Sequence, residues 1–150
     1  MPKYRLEIDV YEAALKRTEW TFDNFEKVYL SFSAGKDSTV MLHIAMEVAK
    51  KRNQKIGILI VDLEGQYKLT EDHIYSLMDE YKDFIDLYWV CLPLHLRNAV
   101  SVYEPFWKCW DKERESEWIR KLPNNVISDE SYFNFFTGFI DFYGFNFYYN

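Results

Sequence analysis

Residues 27–38 read KVYLSF and then SAGKDS, a strand running into a short polar loop, and a helix follows from about Ser38 to Lys51. Val28, Leu30 and Phe32 alternate onto one face, the period-two pattern of a half-buried strand. The helix carries two apolar rows, Val40, Ile44 and Val48 beside Met41, Ala45 and Ala49. Lys50, Lys51 and Arg52 close it, where cations suit the negative end of a helix dipole.

The same alternation extends on both sides. Residues 8–25 place Leu15, Thr18, Phe22 and Phe25 at helical spacing, with Glu12 one turn before Lys16. Residues 56–61, IGILIV, are a continuous apolar run suited to a strand covered on both faces. Thr70 is a good N-cap ahead of Glu71 and Asp72, and Ile74, Leu77, Met78 and Tyr81 line a third helix. Residues 87–92, LYWVCL, make a third strand stopped by Pro93. Helix, strand, helix, strand, helix, strand predicts an α/β fold, a three-layer doubly wound parallel sheet with right-handed crossovers. That sheet is either whole or short of its later strands. Residues 94–103 read as a short helix, and 104–122 as a long excursion or short helices.

Composition excludes several classes. The chain has 150 residues, room for one domain, with 49% hydrophobic and 28% charged residues. This is globular composition, not disorder, collagen or a bare coiled coil. No apolar run approaches a membrane span, and MPKYRLEIDV lacks the apolar centre of a signal peptide. Cys91 and Cys109 form no CxxC motif, so a reducing cytoplasm is the expected location. A net charge of −6 argues against broad electrostatic binding to nucleic acid. From Tyr132 to Tyr149, eleven of eighteen residues are Phe or Tyr. That stretch is a final packed element, an interaction surface or an abnormal terminus, and its low complexity leans towards the last.

The SAGKDS loop carries the chemistry. Where a strand turns tightly into a helix, the first helical N–H groups lack intrahelical partners and carry the positive end of the dipole. An anion binds there. Small residues let it come close, Ser33 and Ser38 add hydroxyls, and Lys36 adds a full positive charge. Asp37 suits a helix cap, a metal or a ligand hydroxyl. Neither the Walker pattern GxxxxGK(S/T) nor the dinucleotide pattern GxGxxG is present.

SxGKDS at the end of a first strand resembles the PP-loop signature SGGKDS of the adenine nucleotide alpha hydrolase-like superfamily. VYLSFSAGKDSTVMLHIAMEVA, ILIVDLEGQYKLTEDHI, YWVCLPLHLRNAV and EPFWKCW together look like its phosphoadenosine phosphosulfate (PAPS) reductase-like family. The resemblance covers roughly residues 8–135 and is greatest to a bacterial branch of co-regulator-type proteins. It implies that Ser33, Ala34, Gly35, Lys36, Asp37 and Ser38 bind the phosphate or sulfate end of an adenine nucleotide, ATP or a PAPS-like ligand. Mg²⁺ would come with the phosphates. Ala34 replaces the usual second glycine, and its methyl group resists positive φ. Asp62 and Glu64 follow the second strand, where open α/β sheets take ligands, and the resemblance puts the adenosine there. The implied division is a nucleotide-binding domain over 1–128 and an aromatic tail over 129–150.

Reductases of this family use a cysteine in a C-terminal ECGxH-type motif, and the iron–sulfur variants need further cysteine pairs. This sequence carries neither, and it ends short of the family's usual length. Sulfonucleotide reduction is therefore not expected from this chain alone. Lys36 and Asp37 are the candidate catalytic residues, for sulfonucleotide or adenylyl-transfer chemistry. The alternative is a non-catalytic nucleotide-binding module working through a protein partner, with the aromatic tail as docking surface, or a remnant of a longer enzyme. The remaining residues have plainer readings. His43 reads as solvated, His73 as part of a helix's first turn, and His95 and Arg97 as solvent-facing. Cys91 and Cys109 read as packed thiols, and Trp107, Trp110 and Trp118 as packing residues. The scattered histidines and cysteines make no zinc pattern.

Overall fold

A computed structural model describes residues 7–98 and 100–132. The aromatic stretch 133–150, on which the readings of the tail rest, lies outside the described residues, as do residues 1–6. The chain divides into two units, residues 1–60 with 68–87, and residues 61–67 with 88–150.

Among the described residues, all three α-helices are in the first unit. Helix α1 spans Val10–Asn24, and its N-cap Asp9 accepts the Glu12 N–H at 2.7 Å. The Asp9 carboxylate thus satisfies a donor that the helix cannot. Glu12 and Lys16 pair at 2.9 Å, as their spacing predicts. Ala13 and Phe22 are buried, while Trp20 on the same helix is exposed. Strand β1 covers Tyr29–Ser31 and runs parallel to β2, Ile56–Val61, in the register Tyr29↔Gly57, Leu30↔Ile58, Ser31↔Leu59. The alternation holds: Phe32 is buried and Tyr29 is exposed. Strand β3, Ile85–Val90, completes a three-stranded sheet in the order β1–β2–β3. The expected α/β class with a parallel sheet is what the chain adopts. Strand β3 begins two residues before the run read from sequence, because Ile85 supplies an apolar position ahead of Leu87.

Helix α2, Lys36–Arg52, starts at Lys36 rather than Ser38, because Gly35 serves as its N-cap. It stops at Asn53, which takes the left-handed conformation with φ 50 and returns its N–H to helix carbonyls. Its buried face is Leu42, Ala45, Met46, Val48 and Ala49. The rows read from sequence are displaced from that face at their start, since Val40 and Met41 are exposed. The buried positions from Leu42 follow i, i+3, i+4, i+7, and Val40 lies about 160° round the helix from Leu42. Helix α3, Lys68–Glu80, begins two residues before the expected cap at Thr70. Its stripe Ile74, Leu77 and Met78, continued by Tyr81, is buried as expected. Burial pushes the Tyr81 hydroxyl up to about 12, and its oxygen lies 2.6 Å from His43 Nδ1.

The described residues of the second unit are mostly irregular. Strands β4, His95–Arg97, and β5, Phe106–Lys108, form an antiparallel hairpin in the register His95↔Lys108, Leu96↔Trp107, Arg97↔Phe106. This replaces the short helix expected over 94–103. Leu96 is buried between exposed His95 and Arg97, a period of two that suits a strand and not a helix. A 3₁₀ segment, Lys112–Glu117, starts at Asp111. Ile127 bridges β3, its N–H donating to Trp89 O at 2.7 Å and its carbonyl accepting from Cys91 N at 2.9 Å. Among the described residues no helix is long and apolar enough to cross a membrane.

The position of the α2 face is testable by denaturation. Leu42→Ala, at a fully buried site, is expected to cost about 2–5 kcal/mol by cavity formation. Val40→Ala, on the exposed side, is expected to stay within about 0.5 kcal/mol. Urea melts of both variants check this, and equal costs would contradict the observed face.

Candidate functional site

The SAGKDS segment lies in the first unit, with Ser33, Ala34 and Gly35 between β1 and α2 and Lys36, Asp37 and Ser38 opening α2. Helix α2 opens on a glycine, and no side chain caps it. Among the described residues no side-chain oxygen caps its first-turn N–H groups, unlike those of α1 behind Asp9. Ala34 sits at φ 59, the left-handed region that glycine favours. Gly35 is crowded only lightly: a methyl there would meet Ser33 Oγ at 3.5 Å.

The hydroxyls converge. Ser33 Oγ and Ser38 Oγ lie 3.1 Å apart, and Ser38 Oγ donates to the Gly35 carbonyl at 3.0 Å. The same carbonyl accepts the Thr39 N–H at 2.9 Å and the Thr39 hydroxyl at 2.9 Å. Thr39 was not singled out from sequence. The available signal was a hydroxyl residue one turn into the helix, where it can bond back to a carbonyl. Lys36 Nζ pairs with Asp37 Oδ1 at 2.7 Å, with side chains 89% and 86% exposed. Such an exposed pair is worth about 0–1 kcal/mol, so both charges are readily redirected to a ligand.

Asp62 and Glu64 belong to the second unit, and there they form a buried network. Asp62 is 0% exposed. Its Oδ1 accepts from Glu64 N at 2.9 Å and from Arg120 Nη2 at 2.5 Å. Its Oδ2 accepts from Trp89 Nε1 at 2.7 Å, and its carbonyl from Trp110 Nε1 at 2.8 Å. Glu64 takes φ 67 and is also buried. Its carboxylate accepts Trp110 N at 2.7 Å and Ile119 N at 2.9 Å, while its carbonyl accepts Arg120 Nε at 2.8 Å. The Arg120 guanidinium lies 4.9 Å from the Trp110 ring centre, and Trp118 meets Trp110 edge-on at 5.2 Å. Arg120 and Trp89 had no sequence signal, because their partners are 58 and 27 residues away.

Both thiols are packed. Burial pushes Cys109 up to about 11, and its Sγ lies 3.6 Å from the carbonyls of Leu92 and Leu94. Burial, and then the negative charge of Asp62, raise Cys91 well above the ordinary thiol range. A nucleophilic cysteine needs the opposite setting. His95 and Arg97 are exposed on β4.

A profile of the phosphoadenosine phosphosulfate reductase domain matches residues 27–126. The chain is 41% identical over 135 residues to the uncharacterized protein YbdN of Escherichia coli (strain K12). That match takes in 89% of this chain and 33% of YbdN, so the chain spans about a third of the relative's length. No solved structure matches the chain.

Ala34→Gly is expected to stabilise the chain by about 0.5–1 kcal/mol, the relief of left-handed strain less the added freedom of unfolded glycine. An upward shift of the urea midpoint checks it. The thiols give a second test. Neither is expected to react with an aromatic disulfide in the native chain at about pH 8, and both should react in denaturant. Unfolded thiols release protons near 9.0 while Cys109 holds its own to about 11. The cysteine contribution to stability is therefore complete below pH 9 and declines across that window, which a pH series of melts would read.

Proposed function

This chain belongs to the phosphoadenosine phosphosulfate reductase domain family, and we propose that its SAGKDS loop binds the phosphate or sulfate end of an adenine nucleotide. The observation that carries this reading is the uncapped start of α2 at Gly35, beside two converging serine hydroxyls and an exposed lysine. Each part has a task. The N–H groups of the first turn supply fixed dipoles towards the anion. The Ser33 hydroxyl adds a donor on one side, and the Ser38 hydroxyl adds another when it turns from the Gly35 carbonyl to the anion. Lys36 leaves its weak pair with Asp37 and meets the anion, where a charge-assisted bond is stronger.

Once Lys36 has turned away, Asp37 accepts from a ligand hydroxyl or meets the Mg²⁺ that phosphates carry. Charge developing on phosphorus or sulfur during transfer would fall on the same donors, which need no reorganisation to stabilise it. The ligand class is a sulfonucleotide or ATP. In this reading Asp62 and Glu64 act indirectly. Their oxygens already accept from Trp89, Trp110, Ile119 and Arg120, so they shape the chain after β2 rather than touch the nucleotide.

A second reading, a nucleotide-binding module without chemistry of its own, is favoured by the burial of both thiols. Reduction of a sulfonucleotide needs an accessible thiolate, and neither Cys91 nor Cys109 offers one.

Calorimetric titration with ATP–Mg²⁺ and with adenosine 3′,5′-bisphosphate tests the assignment. Lys36→Ala is expected to weaken binding about 10- to 100-fold, the loss of a hydrogen bond to a charged group. The preferred ligand separates adenylyl-transfer from sulfonucleotide chemistry. Pyrophosphate release on adding ATP–Mg²⁺ would set an enzyme apart from a binding module. Absence of heat with either ligand, from folded protein, would overturn the reading.

A further inference from the structure

The first unit connects the loop to a residue far along the chain. His73, six residues into α3, places its Nε2 3.0 Å from Thr39 Oγ1, and both are partly buried. Thr39 Oγ1 in turn bonds to the Gly35 carbonyl at 2.9 Å. A threonine hydroxyl has one proton, and the Gly35 carbonyl beside it can only accept. With that proton given to Gly35 O, the Thr39 oxygen accepts from the imidazole, which assigns the His73 proton to Nε2. The opposite tautomer would draw the Thr39 proton towards His73 and take one donor from Gly35.

The Gly35 carbonyl matters because it shares a peptide plane with the Lys36 N–H. In a trans peptide the two groups point in opposite directions. Holding the carbonyl back along α2 therefore turns the Lys36 N–H outward from the helix start. Three donors hold that carbonyl, namely Thr39 N, Thr39 Oγ1 and Ser38 Oγ. Among the described residues, only the Thr39 hydroxyl of these three donors is met by a residue outside the loop and α2. The neighbouring residue in the loop, Ala34, sits at φ 59 in a conformation that it holds at a cost, so the loop needs such an anchor.

We propose that His73 is a positioning residue for the loop: through the Thr39 hydroxyl it fixes the Gly35 carbonyl and so aims the Lys36 N–H at the anion. The effect on ligand rests on the nucleotide reading above, while the effect on loop geometry stands without it. Glutamine can present an N–H near the place of Nε2, whereas phenylalanine keeps the ring bulk without a donor. The test compares His73→Phe, His73→Gln, Thr39→Val and the double variant His73→Phe/Thr39→Val. The amide resonance of Lys36 is followed by NMR in the ligand-free chain, and affinity is measured for ATP–Mg²⁺ and adenosine 3′,5′-bisphosphate.

His73→Phe is expected to move the Lys36 amide resonance and weaken the bound ligand about 3- to 10-fold, with His73→Gln restoring both. In the Thr39→Val background His73→Phe should add nothing, because the relay is already gone. An unmoved Lys36 resonance in His73→Phe, no restoration by His73→Gln, or additive effects in the double variant would each overturn the proposal. Should His73→Phe fail to fold, Thr39→Val against Thr39→Ser carries the same comparison, since serine retains the hydroxyl. Wild-type chain that binds neither nucleotide would remove the nucleotide reading, and the resonance comparison would still decide the role of His73.

Discussion

A carboxylate that no water reaches must be satisfied by the fold around it, and in the second unit that carboxylate is Asp62. Leaving such a charge without its partner costs about 3–5 kcal/mol. Asp62 is instead met by a backbone N–H, an indole N–H and a guanidinium. Those donors come from residues 64, 89 and 120, so one side chain ties three distant stretches together. Glu64 repeats the arrangement with the N–H groups of Trp110 and Ile119. Among the described residues of this unit regular structure is sparse, with strands of three residues. Side-chain to backbone bonds therefore do much of what ladders do elsewhere. The left-handed backbone of Glu64 and Trp110 is held within the same network.

The loop at the start of α2 uses the same chemical groups in the opposite way. Lys36 and Asp37 stand in solvent, where their mutual attraction is small. A charge held that weakly can be redirected to an incoming anion at little cost. Asp62 has no such freedom, since moving it would break its bonds to Arg120 and Trp89. Exposure thus separates Asp37 from Asp62, although both are aspartates that come after a strand of the sheet.

The alternation of helix and strand was legible because each element has a strong period and clear punctuation. IGILIV and the stripe Ile74, Leu77, Met78 are cases where local pattern and burial agree. The strand-to-helix turn that carries SAGKDS was legible because its signal is local, small and polar residues between a strand pattern and a helix pattern, although α2 takes in the last three of the six. The reading faltered where local pattern underdetermines packing. Which row of α2 faces inward depends on neighbours, so Val40 and Met41 looked like core positions and are exposed. The β4–β5 hairpin has three-residue strands, too short for periodicity to separate them from a helix. Arg120 could not be found at all, because its partner Asp62 lies 58 residues earlier and nothing in the intervening sequence marks the pair. The link from His73 to Thr39 is hidden for the same reason, with 34 residues between them.

The distribution of indoles has an optical consequence. The chain has five tryptophans, and four of them, Trp89, Trp107, Trp110 and Trp118, fall in the second unit. Trp89 and Trp110 donate their ring N–H groups to Asp62 in a place closed to water, whereas Trp20, on α1, stands in solvent. Among the described residues all three α-helices fall in the first unit. Ultraviolet emission is thus weighted towards one unit, and far-ultraviolet circular dichroism towards the other. A single sample carries two separate spectroscopic reporters, with no label attached and no residue changed.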